Sequence, residues 1–254
     1  MRAFTTMIYR QLKRFWRARS RVIGMVINPL IWLIFFGLGW SRVFNFPMAK
    51  NIFMGFDYLS FFAPGVYCMT IFITSFASGI SVIWDKQFGF LKETMVAPSS
   101  RKMIMSGRIV GDSIVALLQG AIILALTLPL AESMNLYGFP QALLFGFLLS
   151  ISIASLGVCI SIKMTSMEGF QLIISMLMLP LVFLSGAIYP IDAMPGWMKT
   201  IAYLNPLTYA VDGSRYFLLG VSKFSIVIDV FALLTLALIF LSFSLYLFEK
   251  VTIE

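Results

Sequence analysis

The sequence has 254 residues, 60% of them hydrophobic and 12% charged, with a mean hydropathy of +0.93. Soluble domains carry about a quarter charged residues, so half that share points to a membrane protein. The net charge of +8 would suggest nucleic acid in a soluble chain, but the basic residues lie mainly between apolar runs, where they orient a protein in a lipid bilayer, so a nucleic-acid partner is discounted.

Residues 2–21 predict an amphipathic helix. On a helical wheel Phe4, Met7, Ile8, Leu12, Phe15 and Trp16 share one face, and Arg2, Arg10, Lys13, Arg14 and Arg17 the other. An aromatic-rich face opposite a basic one suits a helix lying in the headgroup layer. The plainer alternative is a basic flank that only fixes topology. The next run, 22–40, has 19 uncharged residues and leads into Ser41-Arg42-Val43. A signal peptide would have an apolar core of about 7–15 residues and a small-residue cleavage site, so this run reads as a retained first span.

Crossing the hydrocarbon core takes about 20 apolar residues. By that measure six spans are expected, at about 22–42, 58–84, 109–131, 139–162, 169–190 and 226–248. Six spans put both termini on one side. With the N-terminus inside, the inner segments hold 14 Lys and Arg and the outer ones 5, so both termini are expected to be cytoplasmic. The two cysteines, Cys68 and Cys159, sit within apolar runs, offer neither a disulfide framework nor metal spacing, and read as packing residues.

Between the second and third runs lies a conspicuous polar segment, Gln87 to Arg101. Phe88, Leu91 and Met95 are three and four apart and share one face of a short helix, expected at about 87–98. Lys92 and Glu93 lie elsewhere on it, and Pro98 limits it. An apolar ridge with a Lys-Glu pair can seat in a groove of a soluble partner, while the bland reading is an ordinary topology loop. The third run opens with Arg108 and Asp112, four apart and able to pair, and with Gly107-x-x-x-Gly111, which permits close helix approach.

After the fifth run, Ser185-Gly186 and Pro190, Pro195 and Pro206 punctuate the chain. A short helix fits from Pro195 to about Tyr203. Asn205-Pro206 reads as an N-cap followed by proline at the first helical position, and Gly220 as the stop. A helix from 206 to 219 rises roughly 21 Å, too short to cross. Being mostly apolar, this helix pair, at about 195–220, suits a re-entrant or interface-embedded arrangement on the outer side; a surface hairpin is the alternative. Asp212 and Arg215, three apart, can pair. No catalytic or metal-binding constellation emerges: there is no His, no acidic cluster and no phosphate-binding G-x-x-x-x-G-K-[ST]. The spans carry no midplane charge of the kind ion-coupled carriers use, so an external energy source fits.

Leu91-Lys92-Glu93-Thr94-Met95-Val96-Ala97-Pro98-Ser99-Ser100-Arg101 resembles the inner-loop signature of ABC-2 type transporter permeases, which include daunorubicin-resistance, nodulation-factor and polysaccharide-export permeases. Phe183-Leu184-Ser185-Gly186 with Tyr189-Pro190, then Leu204 to Ala210 and Arg215, resembles the same family's C-terminal signature. The resemblance covers the whole chain. It implies an all-α membrane protein, a single permease domain over 1–254, in the prokaryotic cytoplasmic membrane. It further implies a second permease copy or homologue and two cytoplasmic ABC ATPase subunits, which bind the ATP and Mg, so that this chain carries no cofactor and is not itself an enzyme. Phe88, Leu91, Lys92, Glu93, Met95, Pro98 and Arg101 would then form the ATPase-coupling helix. Arg10, Lys13, Arg14, Phe15 and Trp16 would belong to the interfacial helix that buttresses it. Tyr189, Pro190, Asn205, Pro206, Asp212 and Arg215 would contribute to an outer gate. Export of an amphipathic, lipid-like, drug or glycan cargo would follow, past Phe72, Phe76 and Phe183 if these aromatic residues face the path; packing is the default for phenylalanine in a span. The competing readings are an ATP-independent channel or carrier and a non-transporting membrane assembly factor.

Overall fold

The structure is a computed structural model describing residues 2–44, 52–96, 98–131 and 133–250; of residues 19–22, 25, 42 and 95 it describes the backbone alone. Every regular element among them is helical. The helices are α1 (Arg2–Arg17), α2 (Arg19–Trp32), α3 (Gly39–Val43), α4 (Tyr58–Phe76), α5 (Ser78–Gln87), α6 (Phe90–Val96), α7 (Arg101–Thr127), α8 (Phe139–Ile162), α9 (Met167–Phe183), α10 (Gly196–Leu204), α11 (Pro206–Leu219) and α12 (Ile226–Glu249).

Among the described residues four stretches are long and apolar enough to cross a bilayer: Tyr58–Gln87, Arg101–Thr127, Leu136–Ile162 and Ile226–Glu249. Two shorter apolar helices, Val26–Ser41 and Met167–Phe183, join them. The expected 109–131 run is the later part of a helix that starts at Arg101, because the charged residues ahead of it continue the same helix. The expected 58–84 run bends at Ala77, where α4 hands over to α5.

α4 is the centre. From Tyr58 through Phe72 every residue is buried, enclosed by α7, α8, α11 and the α2–α3 segment. Asp57 caps its start by accepting from the Ser60 N–H at 3.0 Å. Helices approach one another closely through small residues, and the Tyr67 hydroxyl donates to the Ala142 carbonyl across α4 and α8 at 2.9 Å. α12 packs on α8 but leaves Phe231, Leu234, Leu238 and Phe243 exposed, the surface a lipid-facing helix needs.

Between α2 and α3 the backbone widens into a π-helical stretch, Leu33–Leu38, four residues after Pro29. Proline has no N–H to continue the ladder, and such insertions are a usual remedy. A column of rings runs along it: Trp32 on Phe36 with centroids 4.7 Å apart, Phe36 on Trp40 at 6.4 Å, and Trp40 on Phe44 at 5.4 Å. The column ends on Phe53 and Tyr58, tying the segment to the root of α4.

α1 stops at Arg17, short of the expected residue 21, because Ala18 leaves helical dihedrals (φ −91°, ψ 65°) and the chain turns into α2. Met7, Gln11 and Phe15 are buried, and α1 lies along the first turns of α7. The close approach expected of Gly107 and Gly111 is made to this helix: a Cβ on Gly107 would sit 2.5 Å from the Phe4 carbonyl oxygen, and one on Gly111 would sit 3.0 Å from the Gln11 Cβ. Gly107→Val is therefore expected to lift α1 and cost about 1–3 kcal/mol, read as a lower thermal unfolding midpoint of the detergent-solubilised protein.

Candidate functional site: a buried ion triad at the root of a short exposed helix

α1, the start of α7 and the end of α12 lie at one end of the bundle, where Lys102 pairs with Glu249 at 3.0 Å and Arg101 donates to the Glu249 carbonyl at 3.3 Å. α5 reaches the same end and closes at Gln87. Phe88 follows as its cap rather than as part of the next helix. Gly89 takes φ +78°, a left-handed backbone that reverses the chain within one residue. α6 therefore runs from Phe90 to Val96 instead of the expected 87–98.

The register change splits the expected apolar ridge. Leu91 turns inward to a small cluster with Val82, Met105, Ile109, Val158 and Phe248 and is 8% exposed. Phe88 is 82% exposed, and Val96, at the far end of α6, is 79% exposed. Lys92, Glu93 and Pro98 are exposed as well, with Glu93 in the first turn of α6. The Met95 side chain lies outside the described residues.

Beneath α6 sits the feature that sequence reading missed. Asp85, in the last turn of α5, is 5% exposed. The Arg10 guanidinium donates to both of its oxygens, at 2.9 and 3.0 Å. Arg108 donates to Oδ2 at 2.6 Å and, through its other nitrogen, to the Ser81 hydroxyl at 2.7 Å. Arg108 is 2% exposed, and its principal charge partner is Asp85 on α5 rather than Asp112 one turn along its own helix. Arg10 also lies with its guanidinium carbon 3.7 Å from the Phe90 ring centroid, a cation–π contact to the first residue of α6. Arg14 lies 5.2 Å from the Trp84 ring centroid. Two residues assigned to the basic outer face of α1 thus turn toward the protein, while Lys13 and Trp16 stay exposed and Phe15 is buried. A cavity of about 50 Å³ beside the triad, bordered by Gln11, Arg14, Ser78, Ser81 and Asp112 together with Phe15 and Val115, has room for one or two waters.

The other end holds α10 and α11. Asn205 caps α11 as its side chain accepts from the Leu207 N–H at 3.0 Å, with Pro206 at the first position and Gly220 as the left-handed stop. The Asn205 amide also donates to the Leu181 carbonyl at 2.6 Å, fastening the cap to α9. α11 is buried along most of its length against α4, α8 and α12, whereas α10 is mostly exposed with Ala202 turned inward. Asp212 and Arg215 do not close on each other. Arg215, 3% exposed, donates to the carbonyls of Phe61 at 3.2 Å and Gly186 at 3.1 Å and stacks 3.8 Å from the Phe61 ring centroid. Asp212 accepts from the backbone N–H groups of Lys223 and Phe224 at 2.7–2.9 Å. Burial pushes its carboxyl above the usual carboxylate range, with these N–H groups and the Arg215 charge pulling the other way. One turn separates the two side chains, but each is taken up by backbone groups of other segments. Tyr189 is half-buried and Pro190 buried in the turn that leads to α10.

A cavity of about 620 Å³ opens between α2, α4 and α9. Trp32, Met69, Met178 and Phe183 give it apolar walls, and Asn28 and Thr70 contribute polar groups. Of the three phenylalanines expected along a path, Phe183 lines it. Phe72 and Phe76 are fully buried packing residues, and Phe76 meets Phe170 at 6.4 Å.

Sequence comparison agrees with this architecture. The model of the ABC-2 type transporter family matches residues 2–219. The putative transport permease ycf38 of Cyanophora paradoxa is 33% identical over 217 residues, covering 82% of this chain and 70% of that protein. The daunorubicin resistance ABC transporter permease protein DrrB1 of Streptomyces coeruleorubidus is 28% identical over 228 residues, with 87% and 77% covered. The inner membrane transport permease YadH of Escherichia coli is 23% identical over 221 residues, with 86% and 83% covered. With apolar helices of membrane-crossing length and a family match over most of its residues, this chain is an integral membrane permease of the ABC-2 type transporter family.

Proposed function

We propose that the chain is the membrane-spanning half of an ATP-driven exporter. Two separate ATPase subunits dock at the end that carries α1, α6 and the close of α12, and a second permease copy completes the path. The observation that carries this reading is α6: a short helix behind a glycine hinge, exposing Phe88, Lys92, Glu93 and Val96 at the end where basic residues concentrate. That end is cytoplasmic on the positive-inside rule, in the cytoplasmic membrane of a prokaryote. The α2–α3 segment and α9 complete a set of six spans, since 17 helical residues already rise roughly 26 Å. The α10–α11 pair re-enters from the outer side and forms the gate with Tyr189, Asn205, Asp212 and Arg215.

The cavity beside Phe183 is the cargo path. Its size falls within the ~300–1,000 Å³ of small-molecule sites, and its mainly apolar walls suit an amphipathic or drug-like cargo better than a glycan, which needs many hydrogen-bonding partners. The chain supplies no catalysis; ATP hydrolysis belongs to the partner.

The test is uptake of a fluorescent amphipathic dye into inside-out vesicles that hold the permease with its co-purifying ATPase. Uptake is expected only with ATP and Mg. A gradient-driven flux through the purified chain in liposomes without ATP overturns the reading in favour of a carrier, and ATP turnover with no cargo movement under any condition favours an assembly factor. Within the same assay, Thr70→Trp fills the cavity. Dye uptake is expected to fall about tenfold or more, the consequence of ~1.4 kcal/mol of lost binding, with ATP turnover persisting.

A further inference from the structure

We propose that Asp85 is the positioning residue of the lever: by holding Arg10 it fixes where α6 stands, and it passes displacement of α6 to α1, α5 and α7 together. The inference rests on reading α6 as the docking lever. It starts from how that helix is held. Its root is the two-residue link Phe88–Gly89, and a Cβ built on Gly89 would meet nothing within 4 Å. Leu91 seats α6 inward in its small apolar cluster, and the Phe90 ring lies under Arg10.

Arg10 is therefore shared. Its planar fork spends its hydrogen bonds on Asp85 while its face lies on Phe90. Asp85 is shared as well, because Oδ2 also takes Arg108 from α7. One carboxylate thus joins α1, α5 and α7, and through Arg10 it reaches the first residue of α6. A buried ion group seldom adds net stability over well-packed apolar residues, but it can fix register, because each hydrogen bond permits one geometry. A triad of two cations and one anion, pinned to Ser81 at one corner, suits that task. Gly107 and Gly111 extend the linkage, since they let α1 pack closely on α7.

The experiment measures the distance between nitroxides on Trp16→Cys, on α1, and Val96→Cys, on α6, by pulsed electron resonance in nanodiscs; both positions are exposed. Cys68 and Cys159 are first replaced by alanine. A single narrow distance is expected. It broadens in Asp85→Asn, in Arg10→Lys, which keeps the charge but loses the fork and the stacking plane, and in Phe90→Leu; Asp85→Glu keeps it narrow. Arg10→Lys and Phe90→Leu preserve the Asp85–Arg108 pair, so they remain informative if Asp85→Asn fails to fold. An unchanged narrow distance in both overturns the clamp. The measurement needs no ATPase and so judges the clamp apart from the lever. In the ATPase-bound complex, Arg10→Lys is expected to lose permease-dependent ATP turnover; unchanged turnover beside a broadened distance overturns the lever and with it the place of Asp85 in coupling.

Discussion

Asp85→Ala is expected to cost about 3–5 kcal/mol of stability, the penalty for breaking a buried ion pair and leaving a charge behind. The stranded charge is Arg108, 2% exposed, with the Ser81 hydroxyl as its remaining hydrogen-bond partner among the described residues. Arg10 suffers less, because it is partly exposed and water can replace the lost carboxylate. The double variant Asp85→Leu with Arg108→Met should regain most of the loss, since it strands no fully buried charge: the cation that remains, Arg10, is partly exposed and reaches water. Thermal unfolding of the purified protein in one detergent reads both. A double variant as unstable as Asp85→Ala alone would mean that the geometry of the triad, rather than its charge balance, supports this end of the bundle.

Much of the fold was legible because a bilayer imposes a strict rule. A segment that crosses hydrocarbon must be apolar and must satisfy its backbone within itself, so length and composition announce it. The expected 139–162 and 226–248 coincide with α8 and α12 to within a residue. The cap chemistry of α11 was equally local: Asn205, Pro206 and Gly220 act within one turn of where they stand in the chain. The π-helical stretch after Pro29 was less accessible, because several remedies follow a proline and the ring column that favours this one depends on Phe53 and Tyr58 beyond it.

Sites assembled across long separations were not legible. Arg10 and Asp85 are 75 residues apart, and Arg108 and Asp85 are 23 apart. A helical wheel of α1 places Arg10 and Arg14 on the basic face of an interfacial helix, and nothing within α1 reveals that α7 presents two glycines for it to lie against. The pairing expected of Asp212 with Arg215 failed for the same reason. Spacing along a helix shows which side chains are neighbours, but carbonyls of Phe61 and Gly186, brought from other segments, compete for the guanidinium. At α6, the three-and-four spacing of Phe88, Leu91 and Met95 assumed an unbroken helix, and one left-handed glycine moved Phe88 out of it.

That break gives the second large effect, a division of labour between residues three apart. Phe88→Ala with Val96→Ala removes apolar surface that faces away from the permease. If α6 seats in the ATPase, the pair is expected to lose about 2–4 kcal/mol of docking, as exposed aromatic anchors do at interfaces, with little change in the unfolding midpoint of the permease alone. Leu91→Ala should do the reverse in the first instance: it empties a buried position in the cluster of Val82, Met105 and Phe248 and costs about 2–5 kcal/mol of stability. ATPase affinity measured on vesicles, beside thermal unfolding, separates the two. Equal loss of both quantities in both variants would mean that α6 acts only as packing. Docking retained by Phe88→Ala with Val96→Ala would move the contact to Lys92 and Glu93. A charged contact of that kind weakens as salt screens it, whereas a seat for Phe88 does not, so the salt dependence of affinity decides which face of α6 carries any such docking.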